Sequence, residues 1–236
     1  MNIYRKIIDI SNFFIKPHVR LNPIVNDHCS EFEVNNWLIS KFILKKIIPI
    51  VGIKPYPVNE LLLMIAAVCR LQPSYIFEWG THVGKSARIF YETCSYFNIK
   101  TIIHSIDLPD DIKHIEHPKK QRGKLVKGFD QVILHQGDGL TTSLKICRKN
   151  SIKKSVLFFL DGDHKYQSVK RELIGIVENV PEANILIHDT FYQSSNSGYN
   201  IGPFKAINTV LKLLPNNYKV FSTKLGLPGM TLLYKL

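Results

Sequence analysis

The feature that most constrains this chain is a series of short, continuously apolar runs, most of them tipped by an acid and separated by segments with helical spacing. Residues 75–79, 101–106, 131–135, 155–160 and 184–187 read as such strands. A run that is apolar on both faces belongs in a parallel sheet covered by helices on both sides. Helices are expected at 85–97, 140–149, 168–179 and 204–214, with two closing strands at 218–222 and 230–234. The expected fold class is therefore α/β: a Rossmann-like, mostly parallel, seven-stranded sheet with helices on both faces. Just ahead of the first strand, Asn59 is placed to N-cap a helix from Glu60 to Leu71.

Residues 1–58 have a different texture. They hold apolar periodic runs at 3–14 and 32–48, without strand–helix alternation. Two domains follow from this: a helical extension over 1–58, acting as a cap or a dimer contact, and a Rossmann-like domain over 59–236. The apolar face of 39–53 offers membrane-surface contact as the alternative. Asp9 interrupts the first run, so a signal peptide is not expected, and no stretch reaches the roughly 20 apolar residues of a membrane span. The four cysteines form no CxxC pair, which argues against zinc and disulfides and for a cytoplasmic protein. Net charge is +12, with basic clusters at 113–127 and 145–154. Such an excess favours anionic partners, although charge runs commonly serve only to solvate a face.

In open parallel sheets, ligands bind beyond the carboxyl ends of the strands. This chain delivers Glu78, Asp107, Asp138, Asp161 and Asp189 to that edge. The first turn, Glu78-Trp79-Gly80-Thr81-His82-Val83-Gly84-Lys85-Ser86, has two glycines that permit close approach to a ligand. It falls short of a P-loop, because three residues rather than four separate Gly80 from Gly84. A phosphate would also be repelled by Glu78. The same acid suits a cationic amino-acid end, and Asp107 suits a ribose diol. A ligand with both features and no phosphate is S-adenosylmethionine.

From these residues a resemblance emerges. Glu78-x-Gly80-Thr81-x-x-Gly84-x-Ser86 resembles motif I of class I S-adenosylmethionine-dependent methyltransferases, Asp107 the ribose acid, and Gln136-Gly137-Asp138 the adenine-edge motif. The stretch Leu160-Asp161-Gly162-Asp163-His164-Lys165-Tyr166, followed by Ile187-His188-Asp189-Thr190, is more specific. It is similar to the small-molecule and sugar O-methyltransferase group of macrocin-type and cephalosporin-hydroxylase-like proteins, over about residues 58–236. The resemblance implies methyl transfer to a hydroxyl, with Glu78, Gly80, Thr81, Gly84, Ser86, Asp107, Gly137 and Asp138 holding the cofactor. It further implies Mg²⁺ at Asp161 and Asp189, with His164 as general base. The family's acidic pair is His188-Asp189 here, which makes His188 a further candidate ligand, though a poor one for a hard cation.

Blander roles compete for these residues. Asp161 and Asp163 suit helix caps, His188 a hydrogen-bonded core position, and Trp79 packing on cofactor or helix. The expected partner is a small-molecule acceptor, sugar-linked or anionic, and a homo-oligomer fits as well. Nucleic acid is disfavoured, since no RRM, KH or zinc-finger signature is present. Two other readings remain: a P-loop-like hydrolase or kinase built on Gly84-Lys85-Ser86, and a non-catalytic basic binding module.

Overall fold

The computed structural model describes residues 22–24, 26, 28–114, 117–213 and 218–235, so the apolar run at 3–14 lies outside the described residues. From Asn36 the second run of the extension is one unbroken helical rod. Helix α1 (Asn36–Phe42) passes through a π-turn at Ile43–Ile47 into α2 (Ile48–Val51). Asn35 caps α1 by accepting the Leu38 N–H. Ile39, Phe42, Ile43 and Ile47 recur at helical spacing and are almost wholly buried. They join the hydrophobic core on one side of the sheet, where Phe42 stacks on Tyr96 with ring centroids 4.6 Å apart. Of the apolar stretch 39–53, these four side chains are core, while Leu44 and Ile53 stay exposed.

Helix α3 (Val58–Leu71) starts earlier than expected. The Pro57 carbonyl accepts both the Glu60 and Leu61 N–H groups, so the helix begins directly after Pro57 and Asn59 falls in its first turn. Asn59 is not the N-cap. Then come β1 (Tyr75–Trp79), α4 (Lys85–Tyr96), β2 (Ile102–Asp107), β3 (Val132–Gln136), α5 (Gly139–Lys149), β4 (Val156–Leu160), α6 (Tyr166–Asn179), β5 (Asn184–His188), α7 (Gly202–Leu213), β6 (Lys219–Ser222) and β7 (Met230–Tyr234).

The sheet has seven strands in the order β3-β2-β1-β4-β5-β7-β6. All neighbours are parallel except that β7 runs antiparallel to β5 and β6. Strand β4 explains why the pattern was so apolar: all five of its residues are buried. Leu157 and Phe159 enter the core shared with the extension, and Val156, Phe158 and Leu160 enter the opposite one. The chain steps outward from β1 to β3 and then returns to β4 on the other side of β1. That reversal opens the crevice in which such sheets bind ligands. Register places the site: Trp79 pairs with both Ile106 and Leu160, so Gly80, Asp107 and Asp161 follow at one level.

Candidate functional site

The turn after β1 is packed against its neighbours. Gly80 has φ +95°, and a Cβ there would lie 2.2 Å from the Asp161 carbonyl oxygen. Gly84 has φ +89°, and a Cβ there would lie 3.0 Å from Val126 Cγ2. Both glycines therefore admit the close approach of the protein's own chain on their Cβ side. Thr81 and Ser86 are buried, and the Thr81 and Ser105 hydroxyls lie 2.6 Å apart.

Glu78 is fully buried beneath this turn. Burial pushes its carboxyl up to about 8, although hydroxyls of Ser105 and Ser86 pull the other way. Ser105 donates to Oε1, while Oε2 has no partner at good hydrogen-bond geometry. A buried acceptor without a donor is an unmet demand, and a ligand ammonium would meet it. Asp107 stands at the end of β2, with Oδ2 accepting the His82 N–H and Oδ1 the Leu108 N–H, both at 2.8 Å. Arg122, from the basic connection between β2 and β3, lies 3.8 Å from Asp107 and 2.8 Å from Asp110. These residues fit a cofactor with an amino-acid end and a ribose.

Gly137 donates its N–H to the Asp107 carbonyl at 2.9 Å, tying the ends of β2 and β3 together. Asp138 is the N-cap of α5, accepting the Thr141 N–H at 2.9 Å, and it also accepts from Arg171 at 2.6 Å. Trp79 packs against α5, not into the crevice: a Cβ on Gly139 would strike its ring, and its Nε1–H donates to Ser143 at 2.8 Å.

A second cluster forms beyond β4 and β5. Asp161 Oδ1 accepts from His188 Nδ1 at 2.8 Å, and Oδ2 accepts from the Tyr56 hydroxyl at 2.5 Å. His188 Nε2 lies 3.0 Å from Glu60 Oε2, and Glu60 Oε1 accepts the Gly229 N–H at 2.7 Å. Both imidazole nitrogens face carboxylate oxygens, which only accept, so both must carry protons. Burial alone would lower the His188 pKa, yet Asp161 and Glu60 raise it to about 10. Burial would likewise raise the Asp161 carboxyl, and His188 with Tyr56 instead holds it below the usual range. Asp161 caps no helix. Asp163 is the residue that organises the entry to α6, accepting from the Lys165 N–H and the Ser168 hydroxyl.

His164 sits outside this chain of contacts and is partly exposed. Its Nδ1 is 3.1 Å from Asp189 Oδ2, and its Nε2 is 3.9 Å from Asp161 Oδ1. The second Asp189 oxygen accepts from Tyr199 at 2.7 Å. Asp189 has φ +57°, an uncommon conformation for a residue with a side chain, and the one that turns it back toward His164.

Asp161, His164 and Asp189 each offer an atom within 4.8 Å of the other two, a spacing that fits a divalent cation. Both Asp161 oxygens and Asp189 Oδ1 accept one protein hydrogen bond each, and Asp189 Oδ2 only faces His164 Nδ1 at 3.1 Å, which leaves a lone pair on every oxygen. His188 is excluded as a ligand, because both of its nitrogens are held by carboxylates. Tyr56, Glu60 and Tyr199 escaped the sequence reading. Glu60 left a trace: it shares a helical stripe with Met64 and Ala67, both fully buried, so it was an acid on a buried face.

Residues 48–226 match the model of the family described as Rhamnosyl O-methyltransferase/CmcI. No curated protein sequence matches the chain. Among solved structures, the chain is similar to the apo form of a TDP-rhamnose 3'-O-methyltransferase of calicheamicin biosynthesis, with TM-score 0.56 and 17% identity over 82% of this chain and 85% of that one. It is similar to the O-methyltransferase TomG of Streptomyces achromogenes, involved in tomaymycin synthesis and bound to S-adenosylmethionine, with TM-score 0.52 and 14% identity over 99% and 98%. The SAH-bound methyltransferase PaMTH1 of Podospora anserina gives TM-score 0.51 and 18% identity over 74% and 76%. Likeness at these identities concerns the fold.

Proposed function

The chain belongs to the Rhamnosyl O-methyltransferase/CmcI family and is an S-adenosylmethionine-dependent O-methyltransferase, and from that premise we propose that it methylates a hydroxyl of a sugar-linked small molecule, with His164 as general base. The observation that carries the base assignment is the contrast in contacts: His164 has one nitrogen 3.1 Å from Asp189 and the other no nearer than 3.9 Å to Asp161, whereas both nitrogens of His188 are held at 3.0 Å or less.

The methyl group of the cofactor is already activated by its sulfonium. The acceptor oxygen forms a bond to that methyl as the carbon–sulfur bond breaks, leaving S-adenosylhomocysteine. The hydroxyl proton passes to His164 Nε2, while Asp189 orients the ring and stabilises the imidazolium formed. Asp161 and Asp189 are the residues that would hold a divalent cation, with His164 kept for the proton. When bound, such a cation acidifies the acceptor hydroxyl. Glu78 and Asp107 position the cofactor. Tyr56 brings the segment ahead of α3 into the site.

The P-loop reading loses its lysine: Lys85 Nζ donates to the Lys54 carbonyl at 2.6 Å rather than serving the turn. An anionic acceptor is favoured by the basic stretch 113–127, although the cleft of about 640 Å³ there is lined by Asp110 and Asp111 as well as by Lys113 and Lys119. Its rate advantage would fall as salt rises. Calorimetry tests the cofactor site: S-adenosylhomocysteine should bind, and Asp107→Ala should weaken it by about 1–3 kcal/mol. Unchanged affinity in the folded variant would remove the ribose assignment. Methyl transfer to a TDP-linked deoxysugar, against a neutral glycoside, tests the acceptor class.

A further inference from the structure

Two loops at the carboxyl edge carry aliphatic side chains that the fold leaves uncovered. The loop between α2 and α3, with the first residue of α3, exposes Ile53 and Val58 by 53% and 49%. The loop between β6 and β7 exposes Leu225 by 86% and Leu227 by 45%. The loops meet at their bases: Glu60, two residues beyond Val58, accepts the Gly229 N–H at 2.7 Å. They also border the acid cluster, because Tyr56 bonds Asp161 and the Pro228 carbonyl accepts from Tyr199. Met230 pairs with His188, so the loop that precedes β7 lies at the same edge as the site.

Both loops have the same chemistry. Each carries one exposed lysine, Lys54 or Lys224, and neither carries an acid between 52–58 and 223–229. Scattered exposed aliphatics need no explanation, but four on two adjoining loops beside a ligand site do. A second copy of the chain is a poor occupant. A two-fold contact that packs these loops on their own equivalents would bring lysines together with no acid on either loop to offset them. A surface that is apolar below and anionic above matches both features.

We propose that the two loops dock this edge of the protein on an anionic membrane surface. Ile53, Val58, Leu225 and Leu227 enter the boundary between headgroups and acyl chains, and Lys54 and Lys224 stay at the headgroups. The clamp between Glu60 and Gly229 holds the bases of both loops in place before contact, so little order has to be gained on docking. In this orientation the crevice opens toward the lipid.

The test is sedimentation of the full chain with vesicles of phosphatidylcholine alone and of phosphatidylcholine mixed with phosphatidylglycerol. Binding is expected to the mixed vesicles, weakening as salt rises. The double variant Leu225→Asp/Leu227→Asp should lower the partition coefficient at least tenfold, and Lys54→Gln or Lys224→Gln about fivefold each. S-adenosylhomocysteine affinity, measured alongside, reports that the variants are folded. It also separates this inference from the methyl-transfer reading, on which it does not rest. Four results would overturn it. Wild-type protein could stay in the supernatant with mixed vesicles or bind both compositions equally. Binding could survive in the double variant and vanish in Trp37→Ala, which would move the contact to α1. The wild type could sediment as a dimer that the double variant breaks, which would make the occupant a second copy.

Discussion

Two histidines stand on either side of Asp161, and they have opposite surroundings. His188 is buried, with both nitrogens held by carboxylates and its pKa raised to about 10. His164 is more open, with one nitrogen beside Asp189 and the other 3.9 Å from Asp161. A permanently protonated ring cannot take a proton, so His188 is a fixed counter-charge. The Nε2 of His164 makes only a long contact of 3.9 Å to Asp161, and the proposed mechanism gives that nitrogen the acceptor proton. The difference teaches that the number of acceptors around an imidazole, more than its place in a motif, decides whether it serves structure or chemistry.

The sharpest way to break this comparison is to remove each ring in turn. His164→Ala should lower kcat by about 10²–10⁴-fold on an acceptor that the wild type methylates, with S-adenosylhomocysteine affinity little changed. Near-normal turnover in that variant would leave the reaction to proximity alone and would end the base assignment. Asp161→Asn should lose most activity as well, together with any dependence on added Mg²⁺.

His188→Ala should act on stability instead. It strands the Glu60 and Asp161 carboxylates without their shared partner, and breaking a buried pair in this way costs about 3–5 kcal/mol. Thermal unfolding measures it. The pH dependence has a definite sign. The folded pKa of His188 lies above the ordinary value of 6.5, so its contribution is complete below about 6.5 and is lost as pH rises toward about 10. Asp161 works from the other end: its folded pKa is depressed, so its share is present above the ordinary 3.8 and fades as pH falls below that. A His188→Gln variant should therefore lose stability less steeply than wild type between pH 7 and 10. Equal slopes would mean that His188 is not charged.

The frame of this site was legible in the sequence because strands and acids leave local marks. An apolar run such as 156–160 has one consistent environment, and an acid at its end has few other places to go. Asp161 and Asp189 could be named from their places after strands and His164 from the family resemblance, and the three do come together. What could not be read was the assignment of partners. His188 and His164 look alike in a sequence, and only packing shows that Glu60, 128 positions away, has taken one of them. The glycines of the first turn were read for their approach to a ligand, and nothing in the sequence signalled that Asp161 and Val126 also crowd their Cβ positions. Tyr56 left no mark, because one tyrosine between two prolines has no periodicity to betray its direction.

Tyr56 gives the smallest of these effects and the finest test. Its hydroxyl donates to Asp161 Oδ2, its ring meets His188 edge-on at 5.1 Å, and its side chain is buried. Burial, together with the negative charge of Asp161, raises the phenol well above its ordinary range, so it stays a donor. Tyr56→Phe keeps the ring and removes one hydrogen bond to a charged oxygen, worth about 1.5–3 kcal/mol. If the contact only supports the fold, unfolding should shift by that amount and kcat should stay put. If it also sets the direction of Asp161 for the reaction, kcat should fall while cofactor affinity holds, and the loss should exceed that in a variant equally destabilised elsewhere, such as Leu173→Ala in the opposite core. The proposed mechanism requires the second result. His188 fixes only Oδ1, and a carboxylate held at one oxygen can still rotate away from the acceptor.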